Sequence, residues 1–370
     1  MRNAEKVGNP GSNLLAQILK FDRCHTFSKQ LRKNYNRRRS PDLTPGNPIQ
    51  YLRLRNSSRP AFKTYRSARN PMSLSIQLPP PLQPGDLLVS IAPSGCVRDK
   101  NAFEAGVDLW RSQGYRVEIS GIDDRHGYLA GTDARRRDRL SSALSDPEVK
   151  GILYARGGYG GTRLLESWNW NAATTPKWSI GFSDITALLW SWAKQGISGV
   201  HGPLLATLAQ EPQSSQNRLF DWVSGGAIAP LTGRGWGGGT AIGRLFPGNL
   251  AVATHLIGTP HEPDLTGAIL AFEDIGEAPY RIDRLLTHWR MSGRFDTIAG
   301  IALGRFSRSD VAVPGFTAEE VLHDRLSDLG VPVVSDLPFG HDGINCALPV
   351  GVVAELDGDR GVLGICKGQL

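Results

Sequence analysis

A serine stands where a strand-like segment runs directly into a helix-like one. The apolar run 178–182 has the pattern of a buried strand, and 184–192 has the pattern of a helix. Ser183, between them, would sit on a tight turn with its hydroxyl exposed, as a nucleophile requires. The backbone N–H of Asp184 would then face a developing oxyanion at the start of the helix. Serine is also a common helix N-cap, so the local pattern leaves both roles open.

A second strand-to-helix junction carries the glycine-rich segment 156–161, RGGYGG. Glycines let backbone N–H groups approach a ligand closely, as they do in phosphate-binding loops. The order of residues fits neither a dinucleotide-binding loop nor a P-loop, because GxGxxG and a Lys-Ser/Thr pair are both missing. A second backbone oxyanion donor at Gly158 fits at least as well as a phosphate cradle, and a purely structural turn also stays open.

An acid and a histidine of suitable chemistry lie further along the chain. Glu273 ends an apolar strand, and site residues of α/β folds gather at strand ends. Asp274 and Glu277 fit better as acids that favour the start of the following helix. His341 follows Gly340 in a predicted loop, which makes its imidazole accessible, but seven other histidines weaken an argument from this one alone.

Elements that could position these residues are visible from residue 86 onward. Short β-branched runs alternate with amphipathic stretches, which predicts a parallel α/β sheet, doubly wound in its first half. The Pro-, Gly- and Ser-rich stretch 210–239 predicts a linker with little structure of its own. We therefore expect an N-terminal α/β domain over 72–209, with the nucleophile, and a C-terminal α/β domain over 240–370, with the glutamate and the histidine.

Charge is distributed unevenly along the 370 residues. Sixteen of the 42 Lys and Arg residues but three of the 35 acids precede Met72, so the remainder has 26 basic and 32 acidic side chains. No basic stripe with interleaved aromatics follows, and nucleic-acid binding is not predicted. Segment 1–71 is expected to be a basic, disordered arm. Its composition also resembles an organellar transit peptide, and Met72 opens a segment that looks like a natural start of the protein.

The cysteines and the hydropathy argue against several further classes. The four cysteines form no CxxC pair and have no histidine at metal-ligand spacing, so neither disulfides nor a metal site is predicted. No run of about eighteen apolar residues could span a membrane. The apolar patch 14–21 is broken by polar residues and lacks a cleavage site, which argues against a secretory signal. We therefore expect a soluble, cytoplasmic protein.

Five motifs, taken together, resemble the LD-carboxypeptidase family of serine peptidases, which includes murein tetrapeptide carboxypeptidases and microcin immunity proteins. In chain order they are RGGYGG, GFSDIT, PGNL, FEDIGEAPYRIDRLL and FGHD. The resemblance implies a catalytic triad of Ser183 as nucleophile, His341 as base and Glu273 as the acid that orients the imidazole. It also implies backbone oxyanion donors at Gly158 and Asp184.

The same resemblance implies a fold and a reaction. The fold is α/β, with an N-terminal doubly wound domain like that of class I glutamine amidotransferases (flavodoxin-like), a C-terminal α/β domain, and the site in the cleft between them. The reaction is hydrolysis of the amide before a terminal D-alanine in murein tetrapeptides, during peptidoglycan recycling in the cytoplasm. No metal or cofactor is implied, the partner is a small peptide substrate, and the family resemblance suggests a homodimer.

A free terminal carboxylate on such a substrate requires a cationic partner. Arg156 and Arg163 flank the glycine loop, and their spacing does not choose between them. Tyr159, within the loop, is a third candidate for substrate binding.

Two alternatives stay open. Relatives that resemble microcin immunity proteins cleave peptidyl or aminoacyl nucleotides, and an aromatic over the cleft, such as Trp236 or Trp289, would favour that substrate. A non-catalytic binder of murein fragments would keep the fold without turnover. The presence of all three residues of the implied triad argues against a binder.

Overall fold

Short apolar segments, most of them buried on both faces, form the first of two sheets. The structure is a computed structural model that describes residues 76–170, 175–309 and 315–366. Continuous burial of a strand such as Leu87–Ile91 is expected when helices cover a parallel sheet on both sides. The predicted arm, 1–71, lies outside the described residues.

Within the described residues the first sheet has six strands: β1 (Leu87–Ile91), β2 (Arg116–Ser120), β3 (Val149–Tyr154), β4 (Trp178–Gly181), β5 (Val200–His201) and β12 (Leu348–Pro349). Their order is β12-β5-β4-β3-β1-β2, with β12 antiparallel and the others parallel. The helices of this half are α1 (Lys100–Ser112), α2 (Asp133–Ser145), α3 (Gly161–Leu165), α4 (Thr186–Lys194), α5 (Leu205–Leu208) and α6 (Gln213–Val223).

The second sheet has eight strands in the same described ranges: β6 (Leu231–Thr232), β7 (Arg234–Gly235), β8 (Thr240–Asn249), β9 (Ile269–Ile275), β10 (Gly300–Ser307), β11 (Val333–Ser335), β13 (Val353–Asp357) and β14 (Val362–Ile365). Their order is β6-β14-β13-β8-β9-β10-β11-β7. The four central strands β8 to β11 are parallel, and antiparallel strands flank them. Its helices are α7 (Leu250–Leu256), α8 (Pro279–Met291) and α9 (Ala318–Leu326).

Helix α4 joins the two sheets. All of its residues except Lys194 are buried, because apolar positions surround the helix and are not confined to one face. The indole of Trp190 donates to the carbonyl of Pro247 at 2.8 Å, and the backbone N–H of Asn249 donates to the hydroxyl of Thr186 at 2.9 Å. The turn that precedes α4 is therefore fixed against the end of β8.

The expected mixed α/β fold with two sheets is confirmed. One detail was wrong, because α6 lies inside the stretch 210–239 that was predicted to have little structure. Pro212 before this helix and the serines in its first turn hide the helical pattern when the composition of the stretch is averaged. Its apolar side chains nevertheless reach the core: Leu219, Phe220, Trp222 and Val223. The division into domains at 72–209 and 240–370 stays a prediction.

The C-terminal segment also contributes to the first sheet, since Leu348 of β12 pairs with His201 of β5. A linear reading of the chain could not anticipate this crossover. No helix in the described part of the chain is long and apolar enough to cross a membrane.

Candidate active site

The serine lies on a strained turn. Ser183 has a φ of +64°, a left-handed conformation that costs a non-glycine residue about 1 kcal/mol or more. A single 3₁₀ turn, Ser183–Ile185, separates β4 from α4, so the helix begins at Thr186, two residues later than the apolar pattern predicts. Neither this turn nor α4 uses a side chain of its N-cap residue in a hydrogen bond. Strain at a strand-to-helix turn is typical of a nucleophile held above a sheet.

Ser183, His341 and Glu273 form a continuous hydrogen-bonded chain of side chains. The Oγ of Ser183 lies 2.9 Å from Nε2 of His341, and Nδ1 of His341 lies 2.5 Å from Oε2 of Glu273. The Glu273 side chain is fully buried, whereas 14% of the His341 side chain is exposed. A carboxylate at Nδ1 favours the tautomer whose Nε2 accepts a proton. The arrangement can therefore deprotonate the serine hydroxyl.

Separate elements deliver the acid and the base. Glu273 lies near the end of β9, where it pairs with Asn249 of β8. His341 lies in the loop after β11, and the preceding Gly340 has a φ of +130°. The N–H of Gly340 donates to Oδ1 of Asn345 at 3.2 Å, and a Cβ at Gly340 would stand 3.2 Å from the carbonyl oxygen of Arg305. Glycine is therefore required for the loop to hold the imidazole at this position.

The carboxylate of Asp184 connects the serine turn to the glycine loop. Its Oδ2 accepts a hydrogen bond from Oγ of Ser94 at 2.5 Å and another from the N–H of Gly161 at 2.7 Å. Burial raises the pKa of this carboxyl, although both hydrogen bonds oppose the shift. Sequence reasoning selected Asp184 for its backbone alone and missed both the carboxylate and Ser94. An acid in an otherwise apolar segment was the available signal, because buried acids need partners.

The glycine loop closely approaches the serine. A Cβ added at Gly157 would stand 3.2 Å from Oγ of Ser183, and the next residue, Gly158, has a φ of +106°. Among the described residues, neither the N–H of Gly158 nor that of Asp184 donates to a protein acceptor. Unpaired N–H groups near a nucleophile are suited to stabilise an oxyanion.

The two arginines of the loop differ in their partners. Nε and Nη2 of Arg163 donate to the two carboxylate oxygens of Asp133, at 3.2 and 2.5 Å. Nη1 of Arg156 donates to the carbonyl of Cys96 at 3.3 Å, and no carboxylate in the described part of the chain lies within ion-pair distance of this guanidinium. Tyr159 is 49% exposed. Arg156 is thus the arginine that a substrate carboxylate could engage without breaking an existing ion pair.

A cavity of about 440 Å³ opens beside Ser183, within the range of small-ligand sites. Tyr159 lines it on one side, and His255, Asp274 and Glu277 line it on another. A larger cavity of about 660 Å³ lies beside Trp168 and Trp170, but no residue of the hydrogen-bonded chain borders it. We therefore regard the smaller cavity as the candidate substrate site.

Asp274, which lines the cavity beside Ser183, also stabilises the backbone around it. Its carboxylate accepts from Nδ2 of Asn249 at 3.0 Å and from the backbone N–H groups of Ala251 and Ile275 at 2.9 and 2.7 Å. Burial, and next the neighbouring charge of Glu273, raises the pKa of Asp274 to about 6. The carboxylate therefore stabilises the first turn of α7. The sequence had suggested that it stabilises the start of α8, the helix that follows Asp274 in the chain.

Neither tryptophan that the sequence proposed for the cleft borders the cavity beside Ser183. Trp289 is fully buried, and its indole donates to Thr254 at 2.8 Å. The indole of Trp236 donates to Ser335 at 3.0 Å and lines a different cavity. No group of three metal-ligating side chains occurs among the described residues.

Two family models match the chain. The LD-carboxypeptidase N-terminal domain matches residues 89–202, and the LD-carboxypeptidase C-terminal domain matches residues 242–356. The chain belongs to the LD-carboxypeptidase family. The first match contains Ser183, and the second contains Glu273 and His341.

Curated relatives agree with this family. A Synechocystis sp. protein named as a carboxypeptidase is 56% identical over 288 residues, which is 77% of this chain and 96% of the relative. The murein tetrapeptide carboxypeptidase of Pseudomonas aeruginosa is 31% identical over 66% of this chain and 87% of its own length. The Escherichia coli microcin C7 self-immunity protein is 26% identical over 78% of this chain and 96% of its own.

Solved structures share the fold. The muramoyltetrapeptide carboxypeptidase of Oxalobacter formigenes matches 75% of this chain and 97% of its own with a TM-score of 0.67 and 31% identity. The microcin C7 self-immunity protein in complex with aspartyl sulfamoyl adenosine matches 80% of this chain and 99% of its own with a TM-score of 0.72. At 24% identity, the second likeness shows the fold alone.

Proposed function

We propose that this member of the family is a serine carboxypeptidase that removes the terminal D-alanine from murein tetrapeptides. Ser183 is the nucleophile, His341 the general base and Glu273 the acid that orients it. The observation that carries the proposal is the imidazole of His341, which bridges the serine hydroxyl and the buried carboxylate at 2.9 and 2.5 Å. A murein substrate is supported by the names of relatives that match most of the chain.

The reaction follows from this geometry in two halves. Nε2 of His341 accepts the proton of Ser183 as Oγ attacks the amide carbonyl, and the resulting imidazolium is stabilised by Glu273. His341 then gives the proton to the departing amine, so the D-amino acid leaves and an acyl-enzyme remains. Water, deprotonated by the same imidazole, hydrolyses the ester and restores the serine.

The oxyanion of each tetrahedral intermediate would be bound by the N–H groups of Gly158 and Asp184. Donors of this kind stabilise a transition state by about 3–4 kcal/mol when they are fixed in advance. The two hydrogen bonds to the Asp184 carboxylate support fixed donors, because the one from the N–H of Gly161 holds the serine turn to the glycine loop and the one from Ser94 holds it to the turn after β1.

The terminal carboxylate of the substrate would bind Arg156, whose guanidinium has no acidic partner among the described residues. Neither Arg156 nor Arg163 is among the residues that line the cavity beside Ser183, so the carboxylate would lie beyond its edge. Tyr159, which lines the cavity, would contact the peptide itself. Arg163 is the weaker candidate, because its ion pair with Asp133 would have to be broken first.

The wider setting belongs to the same proposal. A murein tetrapeptide substrate and a D-alanine product suit peptidoglycan recycling in the cytoplasm. The proposal includes no nucleic-acid or membrane partner, and its assembly is a homodimer. The parallel order β5-β4-β3-β1-β2, with a nucleophile at a strand-to-helix turn, supports a flavodoxin-like first domain of the glutamine-amidotransferase type.

A microcin-immunity-like hydrolase of aminoacyl nucleotides is the second candidate, since relatives of both kinds match the chain. An aromatic over the cleft would favour it; neither Trp236 nor Trp289 borders the cavity beside Ser183, whereas Tyr159 does. The lining therefore does not choose between the two substrates, and the murein peptide is favoured by the names of the relatives that are more than 30% identical.

The decisive experiment incubates the full chain with a murein tetrapeptide or with an aminoacyl sulfamoyl adenosine and measures released D-alanine or amino acid by mass spectrometry. We expect release of D-alanine, and none from Ser183→Ala. Release from the nucleotide substrate alone would replace the proposal by the second candidate. Binding of the tetrapeptide without turnover would identify a non-catalytic binder.

A further inference from the structure

The loop that carries His341 runs from the second sheet to the first. It follows β11, and the N–H of Cys346 donates to the carbonyl of Pro338 at 2.9 Å, which closes the loop at its base. Shortly afterwards Leu348 of β12 pairs with His201 of β5. The position of this loop between the two sheets therefore sets how far the imidazole stands from the serine.

Strand β10 fixes the first part of the loop. The N–H of Arg305 donates to the carbonyl of Phe339 at 2.9 Å, and Oγ of Ser307 donates to the carboxylate of Asp342. Both donors belong to the second sheet. These contacts alone would hold the imidazole to the sheet of its acidic partner, and not to the sheet that leads into the serine turn.

Asn345 connects the end of the loop to its beginning and to the segment that starts α6. Its Oδ1 accepts from the N–H of Gly340, the residue directly before the histidine, at 3.2 Å. Its own N–H donates to Oε2 of Glu211 at 2.8 Å, and its carbonyl accepts from Oγ of Ser215 at 2.9 Å. Only 1% of the residue is exposed. Three polar groups of one buried residue thus join the histidine loop to α6.

Helix α6 is anchored on the side of the serine. Its apolar residues belong to the same buried cluster as Ile180 of β4, the strand that leads into the serine turn. The ring centroid of Phe220 lies 4.9 Å from that of Trp110 in α1, and Nε of Arg218 donates to the carbonyl of Ala347 at 2.8 Å. A hydrogen bond from this segment to the histidine loop therefore ties the base to the sheet of its nucleophile.

This connection lies away from the substrate. Neither Glu211 nor Asn345 borders the cavity beside Ser183. Glu211 also lies between the two segments that the family models match, 89–202 and 242–356. An effect of Glu211 on the reaction would pass through the position of the loop and not through a substrate contact.

We propose that Glu211 is a positioning residue for His341 and acts through Asn345. Its carboxylate fixes the backbone of Asn345, whose side chain fixes the N–H of Gly340. A charged acceptor makes the first of these hydrogen bonds a strong one. The imidazole thereby stays 2.9 Å from Oγ of Ser183, and a misplacement near 1 Å costs on the order of 10²-fold in rate. This role rests on the proposed function of the site.

The test replaces Glu211 in two ways. Glu211→Ala removes the acceptor, whereas Glu211→Gln keeps an oxygen for the same N–H. We expect kcat of the Ala variant for tetrapeptide hydrolysis to fall about 10- to 100-fold, with little change of KM because the cavity keeps its lining. The Gln variant should keep most of the wild-type kcat. Asp221→Ala, at an exposed position of α6, is the matched control and should keep wild-type kinetics.

A double variant tests the route through Asn345. Asn345→Ala removes the acceptor for the N–H of Gly340, so it should lower kcat by itself. Adding Glu211→Ala should then cost little more, because residues in one hydrogen-bonded network do not contribute independently. Fully additive losses of kcat would exclude this route, and a folded Glu211→Ala protein with wild-type kcat would overturn the inference.

Two readouts make the test independent of the substrate. The rate at which a serine-directed phosphonate labels Ser183 should fall in Glu211→Ala even if D-alanine release is absent, so failure of the proposed function remains distinguishable. The proton in the 2.5 Å hydrogen bond between His341 and Glu273 should give a downfield ¹H NMR signal. We expect this signal to shift or broaden in Glu211→Ala and to stay in place in Glu211→Gln.

A third substitution covers the case in which the Ala variant does not fold. Glu211→Asp keeps the charge but withdraws the carboxylate by one methylene group from the N–H of Asn345. It should lower kcat and the labelling rate in the same direction as the Ala variant. Wild-type kcat, labelling rate and ¹H signal in a folded Glu211→Asp protein would contradict the positioning role.

Discussion

Gly157 and Ser183 lie so close together that a methyl group at Gly157 would stand 3.0 Å from the Cβ of Ser183 and 3.2 Å from its hydroxyl oxygen. Gly157 itself is not in the left-handed region of backbone conformation. What the position demands is therefore empty space and not conformational freedom. The room around the hydroxyl depends on this missing side chain.

Gly157→Ala should retain the fold and lose activity. The added methyl would displace the serine side chain by a few tenths of an ångström or more, and misplacement near 1 Å costs on the order of 10²-fold in rate. We expect kcat/KM for tetrapeptide hydrolysis to fall by about 10- to 100-fold, on the same grounds. The thermal midpoint, measured in parallel, should change little.

Gly364→Ala is the matched control for that substitution, because its nearest neighbour, Pro230, would be 3.8 Å from the new methyl. It should keep wild-type kinetics. Equal activities of Gly157→Ala and Gly364→Ala would show that the close approach has no catalytic consequence.

Glu273→Gln should leave the peptide bound but barely cleaved. The amide can keep one hydrogen bond to His341, yet it cannot stabilise the imidazolium and it favours the wrong tautomer. Loss of the equivalent charge in other serine hydrolases lowers kcat on the order of 10⁴-fold, and we expect at least a 10²-fold loss here. Steady-state kinetics with the tetrapeptide should show the change in kcat with a nearly constant KM.

The exposed Glu319 offers a control for removing one negative charge, since its side chain is 78% exposed. Glu319→Gln should be as active as the wild type. Full activity of Glu273→Gln would require a different orienting group for the imidazole.

Arg156→Gln should raise KM for a tetrapeptide with a free terminal carboxylate by about 10- to 100-fold, as expected when a charged hydrogen bond is lost. Arg163→Gln should leave KM nearly unchanged, because that guanidinium is engaged by Asp133. A substrate whose terminal carboxylate is converted to an amide provides the internal check. Wild type and Arg156→Gln should hydrolyse this amidated substrate equally slowly. A slower rate for Arg156→Gln than for wild type on the amidated substrate would indicate a structural role for Arg156.

Asp133→Asn should destabilise the protein in a pH-dependent way. Asp133 pairs with Arg163 and with the fully buried Arg136, whose guanidinium also donates to the carbonyls of Pro93 and Gly160. Removing the acid from a buried cation costs about 3 kcal/mol in the free energy of unfolding at neutral pH. Urea denaturation at several pH values measures the loss.

The direction of that pH dependence follows from the pKa of Asp133. The hydrogen bond from Arg163 is the largest influence that lowers this pKa, from 3.8 to about 2. A carboxyl with a lowered pKa in the folded state stabilises the protein above pH 4, and the stabilisation is lost as the pH falls towards 2. The difference between wild type and variant should therefore shrink across that window. Asp138→Asn, an exposed position on the same helix, is the matched control.

The order of motifs and the type of each residue determined the family, and they selected the residues that we propose as nucleophile, base and acid. This was possible because a strand-to-helix serine, a strand-end acid and a glycine-flanked histidine are local features, which a pattern along the chain records. The strand β11 was predicted with its observed bounds, while the linker prediction over 210–239 failed because composition hid the amphipathic helix Gln213–Val223.

Only the tertiary structure decided which partners those residues have. The link from Asp184 to Ser94 and Gly161, the empty space at Gly157 and the burial of His201 depend on segments that are far apart in the chain. It also distinguished Arg156 from Arg163, because an ion pair with Asp133 exists in space and leaves no trace in spacing. Sequence patterns report the conformation of a segment, whereas hydrogen bonds and close approaches depend on how segments pack.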